Sequence, residues 1–154
     1  MRNLVMRVLV SVLALGGLFV SVRALQVHNM DPGLAPPCAV SEHWDCGAVN
    51  HSKYAVFPPL SFDEPAGKLH IPVAVFGIVG YSLMFLFAAL GRWWITLQLA
   101  EIGFAAACML SYIEAFVMEK WCIYCVWSQG LVTAVLVGTV VALVLRKTAK
   151  ATAP

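Results

Sequence analysis

From Leu69 to Leu90, LHIPVAVFGIVGYSLMFLFAAL, the chain carries no charged residue. A stretch this long and apolar satisfies its own backbone in hydrocarbon only as a helix, and a bilayer core takes about 20 residues of it. Three further stretches read the same way. Trp121 to Leu145 is uncharged, Trp93 to Val117 is broken only by Glu101 and Glu114, and Leu4 to Val27 only by Arg7 and Arg23. Composition agrees, with 61% of the 154 residues hydrophobic and 12% charged, against about 25% charged in soluble domains. The expected fold is an all-α membrane protein, a four-transmembrane-helix bundle forming one integral membrane domain over residues 1–154. Its helices are expected at about 4–27, 69–90, 93–117 and 121–145, with a large outer loop, 28–68, between the first two. Pro72 is expected in the first turn of the second helix, where its missing N–H is harmless. The opening MRNLVMR and the apolar run after it also fit a signal peptide. The following SVRAL offers Val and Arg where a cleavage site needs small residues, so the first helix is expected to be retained.

Charge orients the bundle. With four spans, Arg2, Arg7, Arg92, Arg146, Lys147 and Lys150 share one side with no acidic residue. On the other side Arg23, Lys53, Lys68 and Lys120 are outnumbered by Asp31, Glu42, Asp45, Asp63, Glu64, Glu114 and Glu119. The positive-inside rule then puts both termini in the cytoplasm and the long loop outside, in a multi-pass inner-membrane protein. The net charge of +2 is too small to suggest a nucleic-acid partner; the medium is membrane lipid.

Five cysteines follow from this frame. Cys122 and Cys125 are expected in the first turn of the last helix, three apart and on one face, at its outer end. Free N–H groups and the helix dipole there favour a thiolate. Cys38 and Cys46 lie in the outer loop, so four cysteines share the compartment where disulfides persist. Such an arrangement joins thiol chemistry in water to redox chemistry in lipid. Two alternatives stand beside it: a zinc site built from these four cysteines, or with His43 and His51, and a purely structural disulfide network. Cys108, inside the third helix, reads as a small packing residue. Glu101 is an ionisable group in mid-membrane and so a functional candidate by default, or else a carboxyl bonded to a neighbouring helix. Glu114 and Glu119 read as solvated or interfacial, and His51 as a group able to help deprotonate a nearby thiol. The loop segment VSEHWDCGAVNHSKYAVF reads as a short amphipathic element resting on the bundle through Trp44, Tyr54 and Phe57.

A loop cysteine, then CGAVNHSKYA (46–55), IPVAVFGIVGY (71–81) and YIEAFVMEKWCIYC (112–125), occur in that order over about two-thirds of the chain. In this the chain resembles the vitamin K epoxide reductase family, specifically its small bacterial members. The DsbB type of membrane thiol oxidase also has four helices and two cysteine pairs, but its Cys-x-x-Cys lies in the first outer loop.

The resemblance implies a membrane thiol-disulfide oxidoreductase with a quinone, ubiquinone or menaquinone, as cofactor and the outer loop capping the quinone pocket. Cys122 and Cys125 match the active-site pair, with Cys125 facing the quinone. Cys38 and Cys46 match the loop pair that receives electrons from a reduced partner, and a Cys46–Cys122 bridge is the implied intermediate. Ser52 matches a hydroxyl that binds a quinone oxygen, while Phe76 and Tyr81 read as packing residues. The implied partner is a separate periplasmic oxidase of thioredoxin fold, similar to DsbA, because the chain ends at Pro154 without the fused thioredoxin-like domain of some relatives. A DsbA-like dithiol near about −120 mV needs a more oxidising acceptor, which suits ubiquinone well and menaquinone marginally. The segment 58–70 is an insertion relative to a tighter join in relatives, expected to alter how the loop caps the pocket. Reduction of vitamin K epoxide or a quinone, and non-catalytic metal binding, are the alternative functions.

Overall fold

The computed structural model describes residues 2–34, 36, 38–60 and 69–151. The elements are α1 (Arg2–His28), α2 (Cys46–Asn50), β1 (Val56–Phe57), β2 (Ile71–Pro72), α3 (Val73–Ala89), α4 (Trp93–Ile113), a π-helical turn (Glu114–Met118) and α5 (Ile123–Ala151). Three of the described helical segments are long and apolar enough to cross a membrane: Asn3–His28, Trp93–Met118 and Ile123–Thr148. The fourth apolar helix, Val73–Ala89, is shorter than the ~20 residues a bilayer core takes.

The second helix starts later than the hydropathy suggests. Ile71 and Pro72 leave the helix to pair with Phe57 and Val56 in an antiparallel two-residue ladder, and the Val73 N–H donates to Ala55 O at 2.8 Å. Pro72 is therefore the residue before the helix and not part of its first turn. The outer connection is also less helical than its amphipathic pattern suggests. Among its described residues only Cys46–Asn50 forms a helix, started by Asp45, whose Oδ1 accepts the Ala48 N–H at 3.0 Å. That is the usual N-cap service of an aspartate.

The helices contact one another in a ring, α1 with α3, α3 with α4, α4 with α5 and α5 with α1. The core on its axis mixes small and large side chains: Ala14, Ala88, Ala100 and Ala142 beside Tyr81, Met84, Trp93 and Val135. Small residues let helix backbones approach closely where lipid leaves no hydrophobic drive for association. At the end bearing the chain's start, the Arg7 guanidinium donates to Ala89 O. A cation thus meets an unpaired carbonyl at a helix C-terminus, where the dipole favours it. Gly91 (φ 71) then turns the chain tightly into α4, in a region glycine enters without steric cost.

Gly17 is the closest approach in the bundle. A Cβ there would fall within the ring of Tyr81, whose hydroxyl donates to Ser128 O at 2.8 Å. Gly17→Ala is expected to lower stability by about 1–3 kcal/mol through overpacking, read as a lower melting temperature in detergent. An unchanged melting temperature would show that the α1–α3 seam yields freely.

Candidate active site

At the opposite end of the ring, the connection between α1 and α3 is bound to the segment ahead of α5. Trp121 N–H donates to His43 O at 2.7 Å, and Asp45 N–H donates to Trp121 O at 3.0 Å, a parallel bridge between Trp44 and Trp121. The two indoles lie 6.3 Å apart, and Lys120 Nζ reaches Asp45 Oδ2 at 3.7 Å. Residues adjacent in sequence to these contacts, Cys46 and Cys122, are thereby brought together.

Cys38 and Cys46 form a disulfide with Cα atoms 5.7 Å apart, while Cys122 and Cys125 are free thiols. All four belong to one apolar cluster with Val27 and Val49. Cys46 and Cys122 are 0% exposed and Cys38 6%, so Cys38 is the cysteine of the loop pair nearer to water. The loop pair being bonded, the four-cysteine zinc set is not formed. No cluster of three or more His, Cys, Asp or Glu suited to a metal occurs among the described residues.

Cys122 stands one residue ahead of α5 and not in its first turn. Its carbonyl accepts the Val126 N–H at 3.1 Å, which makes it the cap, and Cys125 remains three residues on. The Cys125 thiol's hydrogen bond holds Cys122 below the ordinary thiol range, opposed by burial and by the Glu114 charge. Asn50 adds a donor: its Nδ2 lies 2.8 Å from Cys46 O and 3.5 Å from Cys122 Sγ. One buried amide therefore bridges the two cysteine pairs. The sequence singles out Ser52 in this stretch and passes over Asn50.

Glu114 differs most from its sequence reading. It is 2% exposed, not interfacial. Its Oε2 accepts the Cys122 N–H at 3.1 Å, and its carboxyl lies near the Cys125 thiol. The cause is local. Glu114 opens a π-helical turn that ends at Glu119 in the left-handed region (φ 52), and Glu114 O accepts the Lys120 N–H at 3.1 Å. A π turn adds a residue to the helical repeat and so re-aims the side chains around it.

From Cys125 a cavity of about 570 Å³ runs into the helices, within the size range of small-molecule sites. Its walls are mostly apolar, with Ala106, Ala107, Leu110 and Val132 among them, and Asn50, Ser52, Glu114 and Cys125 supply polar atoms. Ser52 Oγ accepts the Tyr54 N–H at 3.3 Å, which leaves the hydroxyl proton to donate. Phe76 and Tyr81 also line it; Tyr81 is buried in the core while Phe76 is half exposed and meets Phe57 edge-on at 6.0 Å.

Other candidates lie elsewhere. Glu101 faces outward on α4. Cys108 is exposed on the same helix, 3.5 Å from Gln129 Nε2. The ring nitrogens of His51 face two carbonyls and not a thiol, Gly47 O at 2.9 Å and Met30 O at 3.1 Å, clasping the connection to the end of α1. Of the 58–70 insertion, residues 61–68 lie outside the described residues.

Compared with known families, residues 8–140 match the model of the Vitamin K epoxide reductase family. Comparison with curated sequences finds no match.

Proposed function

Because this chain belongs to the vitamin K epoxide reductase family, whose members are membrane oxidoreductases, we propose that it is a membrane thiol oxidase. It moves electrons from a reduced thioredoxin-fold partner, similar to DsbA, through its two cysteine pairs to a membrane quinone. The observation that carries this reading is the single cluster of Cys38, Cys46 and Cys122, with Cys125 at its edge lining the cavity.

The relay begins with a disulfide at each pair. A partner thiolate attacks Cys38, the cysteine nearer to water, and displaces Cys46. Cys46 attacks Cys122, and Cys125 leaves as the thiol side of the broken bond. The partner's second thiolate attacks the mixed disulfide, so the partner leaves oxidised and Cys38 is freed. Cys38 then closes on Cys46 and frees Cys122, giving a bonded loop pair and a reduced Cys122/Cys125 pair, the combination seen in the structure. Asn50 and the hydrogen bond from Cys125 support negative charge on Cys122 through the exchange.

A bound quinone supplies the sink for two electrons and two protons. The cavity fits one: apolar walls suit a ring and an isoprenoid tail, and Ser52 on the wall has a hydroxyl proton available to donate. Ser52 would hydrogen-bond a quinone oxygen on which negative charge develops. Such a bond is worth roughly 1.5–3 kcal/mol, so Ser52→Ala is expected to slow quinone reduction by about one to two decades. Stopped-flow absorbance checks this, and exchange between the partner and the loop pair should keep its wild-type rate.

In this reading α3 also crosses the membrane, so that both termini and Arg92 face the cytoplasm and the cysteines face the periplasm. The test is purified protein with a reduced thioredoxin-fold partner and ubiquinone or menaquinone, followed by quinone absorbance. Partner-dependent loss of the quinone band is the expected result. Absence of turnover with both quinones would refute the oxidase.

A further inference from the structure

Glu114 is the one carboxyl side chain among the described residues lining the cavity, and it lies where the reacting sulfur is. Its neighbours are the Cys122 N–H at 3.1 Å and the thiol of Cys125. The other titratable groups around the cavity are His28 from α1, Tyr54 from the loop, Tyr81 from α3 and Tyr124 from α5. His28 Nδ1 is engaged with Asn50 O at 2.6 Å, and the Tyr81 hydroxyl with Ser128. The nearby Lys120 is directed to Asp45. Nothing in the relay proposed above uses Glu114.

Resting on the oxidase reading, we propose that Glu114 is a catalytic residue that takes the thiol proton of Cys125 and hands it to the quinone in the cavity. Oxidation of the pair breaks two S–H bonds, forms one S–S bond, and delivers two electrons and two protons to the quinone oxygens. Glu114 accepts one proton as the Cys125 S–H bond breaks. The resulting carboxylic acid donates that proton to a quinone oxygen and returns to carboxylate. The second proton leaves Cys122 for the outer aqueous phase as its sulfur bonds to Cys125, and water supplies the matching proton to the other quinone oxygen.

The physical reason is charge conservation in a dry site. Without Glu114, a thiolate at Cys125 is a new charge in apolar surroundings, which is costly. Transfer to a neighbouring carboxylate on the same cavity wall relocates a charge already present. A positioned general base of this kind contributes about 10²–10⁴-fold.

Glu114→Gln separates this role from a structural one, because the amide oxygen still accepts the Cys122 N–H. Pre-reduced protein is mixed with quinone in single turnovers over a pH series. The same series is repeated without quinone, using a small soluble disulfide to oxidise the pair. In E114Q both reactions are expected to slow about 10²–10⁴-fold near neutral pH and to recover as pH rises, because hydroxide then removes the proton. Wild type shows the flatter profile, and quinone affinity by tryptophan quenching is unchanged. Glu114→Asp, which keeps a carboxylate, retains the flat profile at a reduced rate. The proposal is overturned if E114Q matches wild type in rate and profile, if it loses quinone affinity in step with rate, or if E114D takes the E114Q profile. Wild type that reacts with the disulfide but not with quinone would refute the oxidase reading alone. The E114Q comparison with the disulfide would still decide whether Glu114 takes the Cys125 proton.

Discussion

With Cys125 replaced by alanine, quinone reduction is expected to fall to the uncatalysed rate. Deleting one member of a catalytic unit costs roughly 10⁴- to 10⁶-fold in well-studied enzymes. Cys125 is the cysteine that lines the cavity, while Cys38, Cys46 and Cys122 lie in the buried cluster beside it. Its loss removes the sulfur between cluster and cavity and leaves the other three in place. Cys122 then has no disulfide of its own, so it can only attack Cys46 of the loop disulfide and release the Cys38 thiol, and no thiol at position 125 remains to resolve the resulting Cys46–Cys122 bond. Mass spectrometry after non-reducing digestion reads that bridge directly. A Cys125→Ala protein that reduces quinone as fast as wild type would place the electron exit elsewhere.

Cys46→Ala should separate the two halves of the relay. Oxidation of the protein partner is expected to cease, because in the proposed relay Cys46 links the loop disulfide to Cys122. Quinone reduction driven by a small lipid-soluble dithiol should persist, since such a reductant reaches Cys125 through the cavity without the loop. The Cys38–Cys46 bond closes a short loop, and losing it costs about 2–3 kcal/mol in the chain-entropy account. A melting curve therefore accompanies the assay. If Cys46→Ala loses both reactions while remaining folded, the loop disulfide is a staple holding the site together and not a conduit.

Much of the fold is legible in the sequence because lipid imposes so simple a rule. An uncharged stretch such as Leu69 to Leu90 must satisfy its backbone internally, and the structure makes it helical from Val73 to Ala89. The boundaries were less legible. Ile71 and Pro72 follow an apolar pattern that suits strand and helix equally, and pairing with Val56 and Phe57 decided between them. Cys122 reads as a first-turn residue from hydropathy alone, yet the bridge between Trp44 and Trp121 holds the backbone extended until Ile123 begins α5. Tertiary pairing overrides local pattern at such ends, where helix propensity is weakest in its effect.

Within the site, the cysteines announce themselves by chemistry and spacing, and the order of motifs points to the family. Glu114 does not. At the outer end of a span, next to Glu119 and Lys120, a carboxylate reads as solvated, and only the π turn carries it inward onto Cys122 and Cys125. Asn50 is hidden for a similar reason, since nothing in CGAVNHSKYA says that its amide would meet a sulfur 72 residues away.

The sequence by itself determined that this chain is rich in membrane-type helices and bears two pairs of cysteines, because hydropathy and thiol spacing are properties of short stretches. Only the tertiary structure decided which groups surround those sulfurs. A buried carboxyl and a buried amide reach Cys122 from different elements, and their positions depend on how the loop and the helix ends dock.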